Sequence, residues 1–165
     1  MKYLIDSNCF IEPHRRICPL DIALSFWDSI KALHIEGSVF ILDKVLDEIN
    51  SNSDDLAIWI NKNIPSENIL KFENEETIVS MKQVIAWCAD SNYQDKAKTK
   101  FLDGTKADMY LVSYSLAYKE NFTIVTQEVT NHYGNSEIKL PDACSNLGLI
   151  CNDLPGMYRA LHRTF

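Results

Sequence analysis

The sequence predicts an α/β chain: a three-layer α/β/α sandwich with a central, mainly parallel sheet. Two observations predict it. Short apolar runs without alternation, such as Tyr3-Leu4-Ile5, Val39-Phe40-Ile41-Leu42 and Phe122-Thr123-Ile124-Val125, have the composition of strands buried on both faces. Segments with helical spacing of apolar residues separate them, the alternation of a parallel sheet covered by crossover helices.

Taken in order, Tyr3 to Asp6 reads as the first buried strand. Pro13 to Pro19, with Arg15, Arg16 and Cys18, reads as a loop, because proline breaks helical hydrogen bonding. Asp21 is placed to cap a helix carrying Ile22, Phe26, Trp27, Ile30 and Leu33. Ser38 to Leu42 is a second strand, and Asp43 is placed to cap a helix with Val45, Leu46 and Ile49. Another helix covers Asp54 to Asn63, and Ile69 to Phe72 reads as a short strand. Glu73 to Ala89 is strongly helical, with Ile78, Met81, Ile85 and Cys88 on one face. Asp90 to Thr105 reads as a polar segment holding Lys96, Lys98 and Lys100. Lys106 to Lys119 is a helix, Phe122 to Thr126 a strand, and Pro141 opens a short helix. Gly148 to Cys151 is the last strand and Leu154 to Arg163 the last helix.

The 165 residues form a single domain over 1–165, with no internal repeat or low-complexity linker. No apolar run approaches the roughly 20 residues that span a bilayer, and no signal-peptide pattern precedes the first strand. A cytoplasmic protein without membrane contact is expected. Five cysteines without C-x-x-C spacing read as structural thiols rather than a zinc site. The scattered His14, His34, His132 and His162 read as packing or surface residues. A net charge of −7 argues against coating nucleic acid by bulk attraction, yet leaves room for a nuclease whose metal reverses the local sign.

The chemistry-bearing pattern is acidic. Asp6 ends the first strand, and Asn8, two residues on, is placed to orient it or a metal-bound water. Of the adjacent Asp47 and Glu48, Glu48 borders the apolar helix face and leans toward the sheet edge. Asp108 shares a helical face with Leu111, Val112 and Ser115, so it faces the core side near a helix N-terminus. Glu128 follows the strand that ends at Thr126, and Asp142 competes with it for the fourth position. In a parallel sheet such residues converge at one edge. Acids gathered there repel one another unless a cation sits among them.

With these residues placed, the chain resembles the PIN-domain nucleases, most closely the PIN-like relatives of VapC-type toxins. The segments that carry the likeness are Tyr3-Leu4-Ile5-Asp6-Ser7-Asn8, Val45-Leu46-Asp47-Glu48-Ile49, Ala107-Asp108-Met109-Tyr110-Leu111-Val112 and Ile124-Val125-Thr126-Gln127-Glu128. They occur in the family's order. The resemblance implies that Asp6, Glu48 and Asp108 are the principal metal-binding acids. It also matches Thr126 to the threonine before the fourth acid, commonly Asp and here Glu128. It implies an endoribonuclease that hydrolyses RNA phosphodiester bonds with Mg²⁺ or Mn²⁺, the toxin of a toxin–antitoxin pair. A cognate antitoxin and a homodimer are the partners it implies.

Arg15, Arg16, Lys98, Lys100 and Lys106 are candidates to hold flanking phosphates, and Tyr93 and Phe101 to stack bases. The competing readings are weaker. A haloacid dehalogenase-type phosphatase needs a second Asp at position 8, where Asn8 stands. A receiver domain needs an Asp after the third strand and a Lys after the last, and neither is evident. A catalytically weak PIN-like module that binds RNA or protein is the main alternative.

Overall fold

The computed structural model describes residues 2–131 and 134–165; His132 therefore lies outside the described residues. Five strands, β1 (Lys2–Ile5), β2 (Val39–Leu42), β3 (Ile69–Leu70), β4 (Phe122–Val125) and β5 (Cys151–Asn152), form one sheet in the order β3-β2-β1-β4-β5. Every pairing is parallel. Helices flank it as a three-layer α/β/α sandwich: α1 (Asn8–Arg16), α2 (Leu24–Ile35), α3 (Asp43–Asn50), α4 (Asp55–Asn63), α5 (Glu75–Asp90), α6 (Asp95–Phe101), α7 (Asp108–Ala117), α8 (Leu140–Asn146) and α9 (Leu154–Ala160). Leu4, Ile5, Ile41, Leu42, Ile124 and Val125 are completely buried, as strands covered on both faces require.

The strand order fixes where a ligand site belongs. The chain moves outward from β1 through β2 to β3, then returns to place β4 on the other side of β1. The carboxyl ends of β1 and β4 therefore flank the point where the order reverses, which leaves a crevice between diverging connections. The register Ile5↔Val125 sets the next residues of these strands, Asp6 and Thr126, side by side.

Several local expectations need correction. The stretch from Pro13 to Arg16 is not a loop but the second half of α1. Pro13 is buried in that helix, and its carbonyl ends it by accepting the backbone N–H groups of Ile17 and Cys18. Asp21 caps nothing: it lies exposed in a turn held by Pro19 O, and α2 starts at Leu24 behind Ala23. Asp43 is the first residue of α3, and its carboxylate accepts the Phe72 N–H at 3.1 Å, which ties down the chain leaving β3.

The buried face of α5 runs through Thr77, Ser80, Val84 and Cys88, and Ile85 points outward; small polar residues let α5 pack along α7. The polar segment after α5 contains α6, whose buried pair Ala97 and Phe101 is too short a pattern to stand out among lysines. β5 starts at Cys151 rather than at Gly148, which is a positive-φ turn residue.

All five cysteines are free thiols, and Cys9, Cys88 and Cys144 are buried. His34 is fully buried beside Phe10, and burial holds its imidazole down at about 4, so it is neutral. His14 packs edge-on against Trp27. Among the described residues, no helix is long and apolar enough to cross a membrane.

Candidate functional site

Asp6 sits at the elbow between β1 and α1, at 1% exposure. Its backbone N–H continues the sheet by donating to Val125 O at 2.9 Å, and its carbonyl accepts the Cys9 N–H to open α1. The carboxylate is held by two hydroxyls. Thr126 Oγ1 donates to Oδ2 at 2.8 Å, and Ser7 Oγ donates to Oδ1 at 3.4 Å. The same Thr126 oxygen accepts the Glu128 N–H at 3.2 Å, so one side chain links Asp6 to the start of the next acid's loop.

The other acids reach this point from three further elements. Glu48, on α3, places Oε2 at 3.1 Å from the Ala107 N–H, which donates to it, and Oε1 at 3.5 Å from Lys106 Nζ. Ala107 precedes α7, so Glu48 caps that helix from a distant part of the chain. Glu128 repeats the device. Its Oε2 accepts the N–H of Leu140, the first residue of α8, at 2.8 Å, and its Oε1 lies 3.4 Å from Lys139 Nζ. Asp108, the first residue of α7, completes the group.

Electrostatics show that the four belong together. Burial, opposed by the Thr126 hydrogen bond and reinforced by the charges of Glu128 and Glu48, pushes the Asp6 carboxyl up to about 7. Burial, followed by the charges of Asp6, Glu128 and Glu48, pushes Asp108 up to about 8, against a smaller pull from Lys106. The position of Asp108 at a helix N-terminus favours its ionised form, but desolvation and three neighbouring acids outweigh this. A cation among them would reverse the balance.

Asp6, Glu48, Asp108 and Glu128 are thus brought into one electrostatic group. Asp142 is not: its Oδ2 accepts the Asn131 N–H at 3.0 Å, and it lines a separate cavity with Trp87 and Tyr93. Asn8, half-buried at the start of α1, lines a cavity with Glu128, whereas Ser7 makes the contact with Asp6. Asp47 is exposed.

The basic candidates are dispersed. Lys106 faces Glu48, and Arg16 lines the same cavity as Asn8 while pairing with Glu12 at 3.0 Å. Arg15 is exposed at the end of α1. Lys98 donates to Ala89 O, and Lys100 pairs with Glu137 at 2.6 Å. Phe101 is core packing against Trp87, whereas Tyr93 is part-exposed at the rim of the Asp142 cavity.

The sequence reading missed Ser7, Lys139 and the backbone N–H groups of Ala107 and Leu140. A buried serine beside Asp6 has the weak signal of adjacency. Lys139 had none, because its partner stands eleven residues earlier, across a loop.

The donor set is four carboxylates, hard oxygen ligands of the kind that suit Mg²⁺ or Mn²⁺. Among the described residues, however, no three Asp, Glu, His or Cys side chains already stand in a metal-binding arrangement. The hydrogen bonding gives the reason: each glutamate is turned toward a backbone N–H and a lysine, so each must exchange a contact to meet a shared cation. The donor chemistry fits such an ion.

An α/β sandwich with a four-acid cluster at the reversal of its strand order defines the general class. Within it, the chain belongs to the family described as a domain of unknown function, DUF4411, which matches residues 3–165. Comparison with curated proteins and with solved structures gives no match.

Proposed function

We propose that this protein is a metal-dependent endoribonuclease of the PIN-like kind, using Asp6, Glu48, Asp108 and Glu128. The observation that carries the proposal is the elevation of both Asp6 and Asp108 by burial and by acidic neighbours at the carboxyl ends of β1 and β4. Four acids in that position destabilise the free protein and repel a phosphodiester, so a cation gives the arrangement its purpose.

Asp6 is the centre: Thr126 and Ser7 fix its carboxylate, and its burial excludes competing water. Asp108 faces it from the start of α7. Glu48 and Glu128 sit on opposite connections and would supply further carboxylate oxygens to a bound cation in exchange for their contacts to Ala107 and Leu140. Lys106 would then be free to meet a non-bridging oxygen of the substrate, while Lys139 would keep its pair with Glu137 at 3.0 Å. When bound, Mg²⁺ or Mn²⁺ supplies charge neutralisation and a water acidified toward neutral pH. No nucleophilic side chain is required. The likeness to VapC-type relatives adds the physiological part of the proposal: a toxin acting in the cytoplasm, held by a cognate antitoxin over the acidic cleft, and a homodimer.

One observation favours a second reading. The lysine and N–H contacts satisfy Glu48 and Glu128 without metal, as in a PIN-like module that binds RNA or protein without cutting. Calorimetric titration with Mn²⁺ at pH 7.5 separates the two. The nuclease reading requires saturable binding that Asp6→Asn abolishes. Absence of binding in the wild type supports the module.

A further inference from the structure

A cavity of about 480 Å³ adjoins the acidic cluster on its α1 side, lined by Asn8, Pro13, Arg16, Ile17, Gln127 and Glu128 among others. Glu128 belongs both to this cavity and to the cluster, so the cavity borders the place proposed for the scissile phosphate. A second cavity of about 420 Å³ lies across the Thr126–Thr130 segment and also uses Gln127 and Glu128. The two cavities meet at Gln127 and Glu128, which line both.

The lining of the α1 cavity has four chemical parts, one of them the carboxylates of Glu12 and Glu128. Pro13 and Ile17 provide an aliphatic wall, and Ile17 is 80% exposed although wholly apolar. Arg16 offers a guanidinium plane, on which unstacked bases settle readily. Asn8 and Gln127 offer side-chain amides, each with two donors and an acceptor. Among the described residues neither amide is engaged in a hydrogen bond within the protein. Gln127 is exposed, yet its neighbours fix its place: Thr126 is bound to Asp6, and Glu128 to Leu140. An apolar wall, a guanidinium held by Glu12 at 3.0 Å, and amides beside the Glu128 carboxylate suit a flat, uncharged group with hydrogen-bonding edges, the chemistry of a nucleobase.

We propose that this cavity reads one unstacked base of a single-stranded RNA, adjacent to the scissile phosphate, with Gln127 as the residue that sets base preference. The inference rests on the ribonuclease reading and adds to it a specificity determinant.

The test uses the full chain and fluorescein-labelled hexaribonucleotides of uridine, adenosine or cytidine, with anisotropy read in Ca²⁺. In parallel, cleavage ends are mapped on a randomised RNA pool in Mn²⁺. The wild type is expected to favour one base by about tenfold, the worth of one good hydrogen-bonded contact, and Gln127→Ala to reduce that preference to about twofold or less. Gln127→Glu, which keeps the size and acceptor but loses the donor, should change which base is favoured. Circular dichroism verifies that both exposed-site variants fold. A preference left unchanged by both variants overturns the base pocket, as does cleavage with no base preference beside the cut; either result leaves the ribonuclease reading standing. Base-selective binding that Gln127→Ala abolishes, without cleavage in any metal, upholds the pocket and overturns the ribonuclease reading.

Discussion

Replacing Asp108 by asparagine should make the metal-free protein more stable in alkaline solution, although it removes a proposed catalytic acid. The carboxyl of Asp108 is held at about 8 in the folded chain, against 3.8 when unperturbed. The unfolded chain therefore releases this proton near pH 4, whereas the folded chain retains it until about pH 8. Between those values the native state binds more protons, so stability falls as pH rises. Four powers of ten in ionisation correspond to a ceiling of roughly 5 kcal/mol at pH 8.

Neutralising Asp108 removes the cost of its own burial and of the charges of Asp6, Glu128 and Glu48 on it, while the amide loses some packing; a net gain of about 2 kcal/mol is the working expectation. For a chain of this size that is a rise in Tm of roughly 4–8 °C. The assay is thermal unfolding in EDTA at pH 8 and at pH 4, for wild type and Asp108→Asn. The gain should be present at pH 8 and nearly vanish at pH 4, where the native carboxyl is already neutral. Equal effects at both values, or a lower Tm for the variant at pH 8, would refute the electrostatic account of the site.

Thr126→Val should cost about 1–3 kcal/mol in urea unfolding, because it strips a donor from buried Asp6 and an acceptor from the Glu128 N–H. Thr126→Ser should recover most of this. Glu48→Ala should cost about 1–2 kcal/mol by leaving the Ala107 N–H unpaired, with the exposed side of the Lys106 contact adding little. Glu48→Gln should keep the stability but lower RNA cleavage about a hundredfold or more, a split read by comparing melting curves with initial rates. Buried His34 is held at about 4 rather than 6.5. The unfolded chain takes up that proton first, so this contribution is present above pH 6.5 and is lost as pH falls through 4. His34→Leu should remove roughly 3 kcal/mol of acid sensitivity from the unfolding curve between those values.

The sheet and the acids were legible in the sequence for different reasons. Buried parallel strands leave unbroken apolar runs, so β1, β2 and β4 stood out, whereas the two-residue β3 and β5 could be placed only to within a few positions. Proline at 13 disguised α1, because a residue that removes one helical hydrogen bond makes the stretch from Pro13 to Pro19 read as a loop. Asp6, Glu48 and Asp108 were legible because each follows or faces an apolar pattern.

The choice between Glu128 and Asp142 needed the fold. Both follow extended segments, and only the register of β4 against β1 puts the first at the cluster. The capping of α7 by Glu48 and of α8 by Glu128 was invisible, since a carboxylate that reaches a backbone N–H 59 residues away leaves no local pattern. The same holds for the ion pairs that join Lys100 to Glu137, and Lys139 to both Glu137 and Glu128.

The central claim, that the four acids form a metal-dependent ribonuclease site, is tested most directly by cleavage of a mixed RNA pool in Mn²⁺ or Mg²⁺. Wild type, Asp6→Ala and Asp108→Asn are compared, with EDTA as control. The account predicts metal-dependent cleavage by the wild type that is lost in both folded variants. Cleavage that survives in Asp6→Ala or in EDTA would contradict it.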